Sequence, residues 1–124
     1  MDTDHAIKKL KPETRILLFH ALATCATQAK QYEKAFAWFE RVRKESLKAK
    51  DQHWLGRYYI NSGVAHDLSG DRQAAAEAFQ EASRHGEDHD DPSLLGRSFG
   101  NLAQLRMTEG EPDVAIDLIR KSIT

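Results

Sequence analysis

The sequence predicts an all-α fold: a solenoid of tandem antiparallel helix–turn–helix repeats, about six helices in all. Three observations carry that prediction. The stretch Leu55–Asp71 (LGRYYINSGVAHDLSGD) recurs forty positions later as Leu95–Glu111 (LGRSFGNLAQLRMTEGE). The copies agree in Leu-Gly-Arg, in an Asn four after the Arg, and in a Gly followed by an acid. An Ala followed four residues later by a large apolar residue recurs at the same spacing, at Ala35/Phe39, Ala75/Phe79 and Ala115/Ile119. A fixed period in this range is the mark of a stacked repeat array. Finally, the three Pro and seven Gly fall mostly between helical stretches, and the short connections leave no room for a sheet.

Residues 1–11 are a short polar lead-in, in which Ala6, Ile7 and Leu10 hint at one helical turn. Pro12 suits the first turn of a helix, where its missing N–H costs nothing. The first helix is expected over 12–29, and its centre, RILLFHALATCA, is apolar on nearly all sides. Such a helix is covered on more than one face. The turn after it lacks the expected Gly. A second helix over 31–49 carries Tyr32, Ala35, Phe36, Phe39 and Val42 as its apolar stripe. Asp51 is a good N-cap for the third helix, over 52–69, which Gly70 ends.

Asp71 caps the fourth helix, expected to continue to about His85 with Ala74, Ala75, Ala78, Phe79 and Ala82 as its stripe. The run GEDHDD after it reads as a solvated linker. His85 and His89 sit four apart beside acids, but a Gly-containing linker does not secure helical spacing, so a metal site is not expected there. Asp91-Pro92 repeats the role of Asp51 at the start of the fifth helix, which ends at Gly110. The sixth runs from Pro112, with Val114, Ala115, Leu118 and Ile119 expected inward. This gives a lead-in (1–11) and one domain of three repeats, about 12–50, 51–90 and 91–124.

The 124 residues carry 18 Lys/Arg against 19 Asp/Glu, so nothing draws the chain generally toward nucleic acid or a membrane surface. The charge is uneven: residues 1–50 hold 11 Lys/Arg against 6 Asp/Glu, and 51–124 hold 7 against 13. The single Cys25 excludes an internal disulfide and is expected as a buried core thiol. No apolar run reaches the roughly 18 residues a membrane span requires, and no signal peptide is visible, so a cytoplasmic location is the expectation. No Gly-rich phosphate loop, no Ser-His-Asp arrangement and no paired catalytic carboxylates stand out, so an enzyme and a cofactor are not expected.

The repeated residues resemble the tetratricopeptide repeat. The first unit supplies Phe19, Leu22, Ala23, Tyr32, Ala35 and Phe39. The second supplies Tyr59, Gly63, Gly70, Ala75, Phe79 and Ala82, and the third Phe99, Leu102, Ala103, Gly110, Ala115 and Ile119. Departures are Ser62 for the usual Leu, Ser122 for the last Ala, and the missing Gly of the first turn. The period is forty rather than the family's usual value of about 34. The longer helices and the Leu-Gly-Arg-x3-Asn run resemble a subgroup that includes LGN/Pins-type polarity adaptors and the repeat regions of bacterial Rap-type and MalT-type regulators. The resemblance implies a right-handed solenoid whose first helices line a concave groove.

That resemblance places Arg57 with Asn61, and Arg97 with Asn101, in the groove, as each pair shares a helix face. Arg offers a planar fork for carboxylates, and Asn can grip the backbone of an extended peptide. The competing reading has the Asn residues holding the array's own backbone and the Arg residues solvated. The expected function is a protein or peptide interaction scaffold whose partner segment, extended or helical, carries acidic residues. A regulatory segment of a larger bacterial signalling ATPase or transcription regulator, and a self-associating scaffold such as a homodimer, are the alternatives. Neither end of the array reads as capped.

Overall fold

A computed structural model describes residues 3–122. Among these it is helical throughout, with three-residue links: α1 (Thr3–Lys8), α2 (Pro12–Gln28), α3 (Tyr32–Lys48), α4 (Gln52–Leu68), α5 (Arg72–Asp88), α6 (Pro92–Thr108) and α7 (Pro112–Ser122). From α2 onward the helices begin every twenty residues, so the forty-residue repeat of the sequence is two helices and two turns.

The turns share one backbone solution. Lys30, Lys50, Gly70, Asp90 and Gly110 all adopt positive φ. At each, the N–H of that residue donates to the carbonyl three back, as Lys30 does to Thr27 at 3.0 Å. The next N–H donates to the carbonyl five back, as Gln31 does to Ala26 at 2.8 Å. This is the Schellman closure, which satisfies carbonyls left free at a helix end. Glycine is thus not required in the first turn, where Lys30 takes the left-handed conformation. The following helices are capped as expected, with the carboxylates of Asp51, Asp71 and Asp91 accepting from the N–H of Trp54, Ala74 and Leu94, each at 3.1 Å.

The chain divides into two compact units, Met1–Tyr58 and Tyr59–Thr124. In the first, Ile7, Ile16, Phe19 and Val42 form the core, with Leu18, Trp38, Trp54 and Tyr58 packed against it. The lead-in covers α2 in part: α1 lays the Ile7 side chain on Ile16 and Phe19, and the Arg15 guanidinium donates to the Leu10 carbonyl at 2.7 Å. Cys25 is exposed rather than buried. It shares an open face of α2 with Leu17 and Ala21, eight and four residues before it, while Ile16, Phe19, Ala23 and Ala26 face the core.

In the second unit the core is Ile60, Ala75, Ala76, Phe79, Ala82, Leu94, Leu102 and Leu105, with Tyr59, Val64 and Leu118 against it. The small residues of α5 let its neighbours come close. At Gly63 of α4 an added Cβ would lie 2.6 Å from Phe79 Cε1. At Gly86 it would lie 3.0 Å from Leu95 Cγ. Of the linker expected over GEDHDD, Gly86, Glu87 and Asp88 are instead the last turn of α5, and only residues 89–91 link it to α6. A glycine inside the helix is needed where Leu95 of α6 packs, and the helix continues through it to Asp88. In α7 only Ala115 is buried; Val114 and Ile119, expected inward, are 45% and 47% exposed.

Candidate binding surface

In the first unit, α4 sets Trp54 and Arg57 three residues apart on one face. The Arg57 guanidinium carbon lies 4.5 Å from the centroid of the Trp54 ring, a cation–π contact that holds the planar fork in one orientation. From α2, the His20 ring lies 5.1 Å from Trp54 and meets Phe39 of α3 edge-on at 6.4 Å. Phe39 in turn meets Tyr58 at 6.5 Å. The result is an aromatic shelf built from three helices with one guanidinium fixed upon it.

Two effects lower the pKa of His20. Burial is the larger, because it disfavours the charged imidazolium, and the Arg57 charge adds to it. His20 is therefore neutral at pH 7, and Arg57 supplies the positive charge of the shelf. A neutral imidazole donates through one nitrogen and accepts through the other, while the guanidinium only donates. Such a surface can take a carboxylate against Arg57 and an apolar or aromatic side chain against the ring faces.

In the second unit Arg97 is exposed on α6. Asn101 Nδ2 donates to the Arg97 carbonyl at 2.8 Å, so one amide hydrogen is used within its own helix. Its side-chain oxygen takes no part in that bond and is an acceptor by type. Asn61 is half-buried one turn beyond Arg57 on α4. The structure thus joins Arg57 to Trp54 and His20, and Asn101 to the backbone of Arg97. Neither Trp54 nor His20 was singled out from the sequence. Trp54 had a readable signal, its i, i+3 spacing from Arg57; His20 had none, because it reaches the shelf from another helix.

The turn from α5 to α6 brings His85 and His89 together, with ring centroids 4.2 Å apart and His89 Nδ1 3.0 Å from the His85 carbonyl oxygen. Tyr59 lies 5.9 Å from His85. Among the described residues no group of three or more His, Cys, Asp or Glu side chains is gathered as a metal site. No described helix is long and apolar enough to cross a membrane.

Comparison with the curated proteins finds no match. A family model described as the tetratricopeptide repeat matches residues 14–88, more than half of the chain. That stretch holds α3, α4 and α5, all of α2 but its first two residues, and the buried Ala35, Phe39, Ala75, Phe79 and Ala82 that carry the resemblance. The chain belongs to the tetratricopeptide repeat family.

Proposed function

We propose that this chain is a non-catalytic interaction module that binds acidic segments of a partner protein, extended or helical, on the groove-lining faces of its repeats. Tetratricopeptide repeats generally mediate protein–protein interactions. The observation that carries the finer reading is Arg57, held over Trp54 beside a neutral His20. A guanidinium already oriented by a ring loses less freedom when it takes a carboxylate. Arg97 and Asn101 offer the same residue types in the second unit, and Asn61 accompanies Arg57. We read the array as three repeats over residues 12–124, of the forty-residue subgroup that includes LGN/Pins-type adaptors and Rap- and MalT-type regulators, working in the cytoplasm.

Extract from the native host, captured on the immobilised chain and identified by mass spectrometry, should yield partner segments rich in Asp and Glu. Titration of such a segment should then weaken for Arg57→Ala combined with Arg97→Ala, and with added salt. Equal affinity for the double variant and the parent would overturn the assignment.

Self-association is a second reading, supported by the open apolar face of α2 at Leu17, Ala21 and Cys25, where Leu17 is 56% exposed. A homodimer through that face would show as a concentration-dependent mass in light scattering; a monomer at high concentration would exclude it.

A further inference from the structure

We propose that the cleft formed by α1, α2 and α3 in the first unit binds a compact polyanion of the phosphate or polycarboxylate class. The cleft has a volume of about 370 Å³ and is lined by Lys8, Arg15, Arg41 and Lys48 with Glu45, over a floor that includes Phe19. This is the size of a small-ligand pocket, at the lower end of the common range of about 300–1,000 Å³. Four cationic side chains thus face one carboxylate.

That carboxylate is already neutralised. Arg15 Nε donates to Glu45 Oε1 at 3.1 Å and Nη2 to Oε2 at 3.3 Å, so both oxygens are engaged. The same guanidinium donates to the Leu10 carbonyl at 2.7 Å and, at 3.4 Å, to that of Lys8. It therefore pins the end of α1, with Lys8, at the edge of the cleft. Arg41 is fixed differently. Its guanidinium carbon lies 4.2 Å from the Phe19 centroid and 5.2 Å from that of Trp38. Ring faces hold the guanidinium by its π surface, and its N–H groups, which are the donors, are what would meet an anion.

Lys8 and Lys48 are exposed and make no ion pair among the described residues. A carboxylate of the chain itself, Asp4, comes to 4.0 Å from Arg41 Nη1. That approach shows an oxyanion can reach this edge, and an incoming anion would compete with Asp4 there. Lysines on an open helix face are usually only solvated. Here two of the four cations are held by packing and hydrogen bonds around a concavity, so positive potential is concentrated where a ligand fits. The site is separate from Arg57 and stands or falls independently of the reading above.

The test is calorimetric titration of the full chain at low ionic strength with pyrophosphate in one arm and citrate in the other. Saturable binding is expected, weakened about tenfold in Lys8→Gln combined with Lys48→Gln, which corresponds to about 1.4 kcal/mol. Arg57→Ala should leave it unchanged. The bound anion should also raise the melting temperature of the parent more than that of the double variant. Saturation by pyrophosphate alone would identify a phosphate ligand, and saturation by citrate a carboxylate one. Absence of saturable binding in both arms, or equal binding by the double variant, would overturn the proposal.

Discussion

Gly63 of α4 lies against the ring of Phe79 of α5 so closely that a Cβ at position 63 would be 2.6 Å from Phe79 Cε1 and 2.9 Å from Cδ1. Both residues are buried. Removing a glycine from a helix interior normally stabilises by about 0.5–1 kcal/mol. Here the opposite sign is expected, because forcing a methyl group into a packed contact costs about 1–3 kcal/mol. Gly63→Ala should lower the midpoint of urea unfolding, and a raised midpoint would contradict this packing. Ala75→Leu, at a fully buried position, should be destabilising for the same reason.

The five turns supply the reverse case. A non-glycine residue in the left-handed conformation is strained by about 1–2 kcal/mol, which exceeds the flexibility cost of glycine. Lys30→Gly and Lys50→Gly should each stabilise by about 0.5–1 kcal/mol. Asp90→Gly should gain less, because a short polar side chain tolerates this conformation better. Thermal melts of the three variants check the order.

Two buried serines should respond differently to the same substitution. Ser46 Oγ is buried without a hydrogen-bond partner among the described residues, whereas Ser98 Oγ donates to the Leu94 carbonyl at 2.7 Å. Deleting an unsatisfied buried hydroxyl removes a desolvation penalty, so Ser46→Ala should be neutral or stabilising by up to about 1 kcal/mol. Ser98→Ala should be destabilising by about 0.5–1 kcal/mol. Denaturant unfolding of the pair in parallel would reveal any inversion.

His20 should make stability depend on pH. Its folded-state pKa lies below the ordinary 6.5 because of burial and then Arg57. Above pH 6.5 the group is neutral in both states and contributes nothing to the slope. As pH falls through 6.5 the unfolded chain takes up the proton first, so stability is lost until the folded-state pKa is passed. The melting temperature should fall from pH 7 downward, and His20→Gln should flatten that part of the profile. An unchanged profile in the variant would show that His20 is not the group responsible.

The fold was legible because its repeat is written in side chains: Ala35, Ala75 and Ala115 are all fully buried, forty residues apart. The missing glycine of the first turn misled because the closure is made by backbone hydrogen bonds, which Lys30 makes as well as Gly70 does. Gly86 misled in the other direction. A glycine read as a breaker is there for the close approach of Leu95, a partner on another helix that spacing along one helix does not reveal. Cys25 is exposed for a related reason: an apolar helix does not declare which of its faces its neighbours cover. At the candidate surface, Arg57 stood out by its repetition at Arg97, while His20 reaches Trp54 only through the packing of α2.

Recognition of acidic segments through Arg57 and Arg97 is the proposal on which the proposed function rests. Selection of binders from a random peptide library on the immobilised chain, scored by the composition of the recovered sequences, tests it most directly. Recovered peptides should be enriched in Asp and Glu and should lose affinity for Arg57→Ala combined with Arg97→Ala. Recovered peptides with no acidic enrichment, or acidic peptides held equally by the double variant, would contradict it.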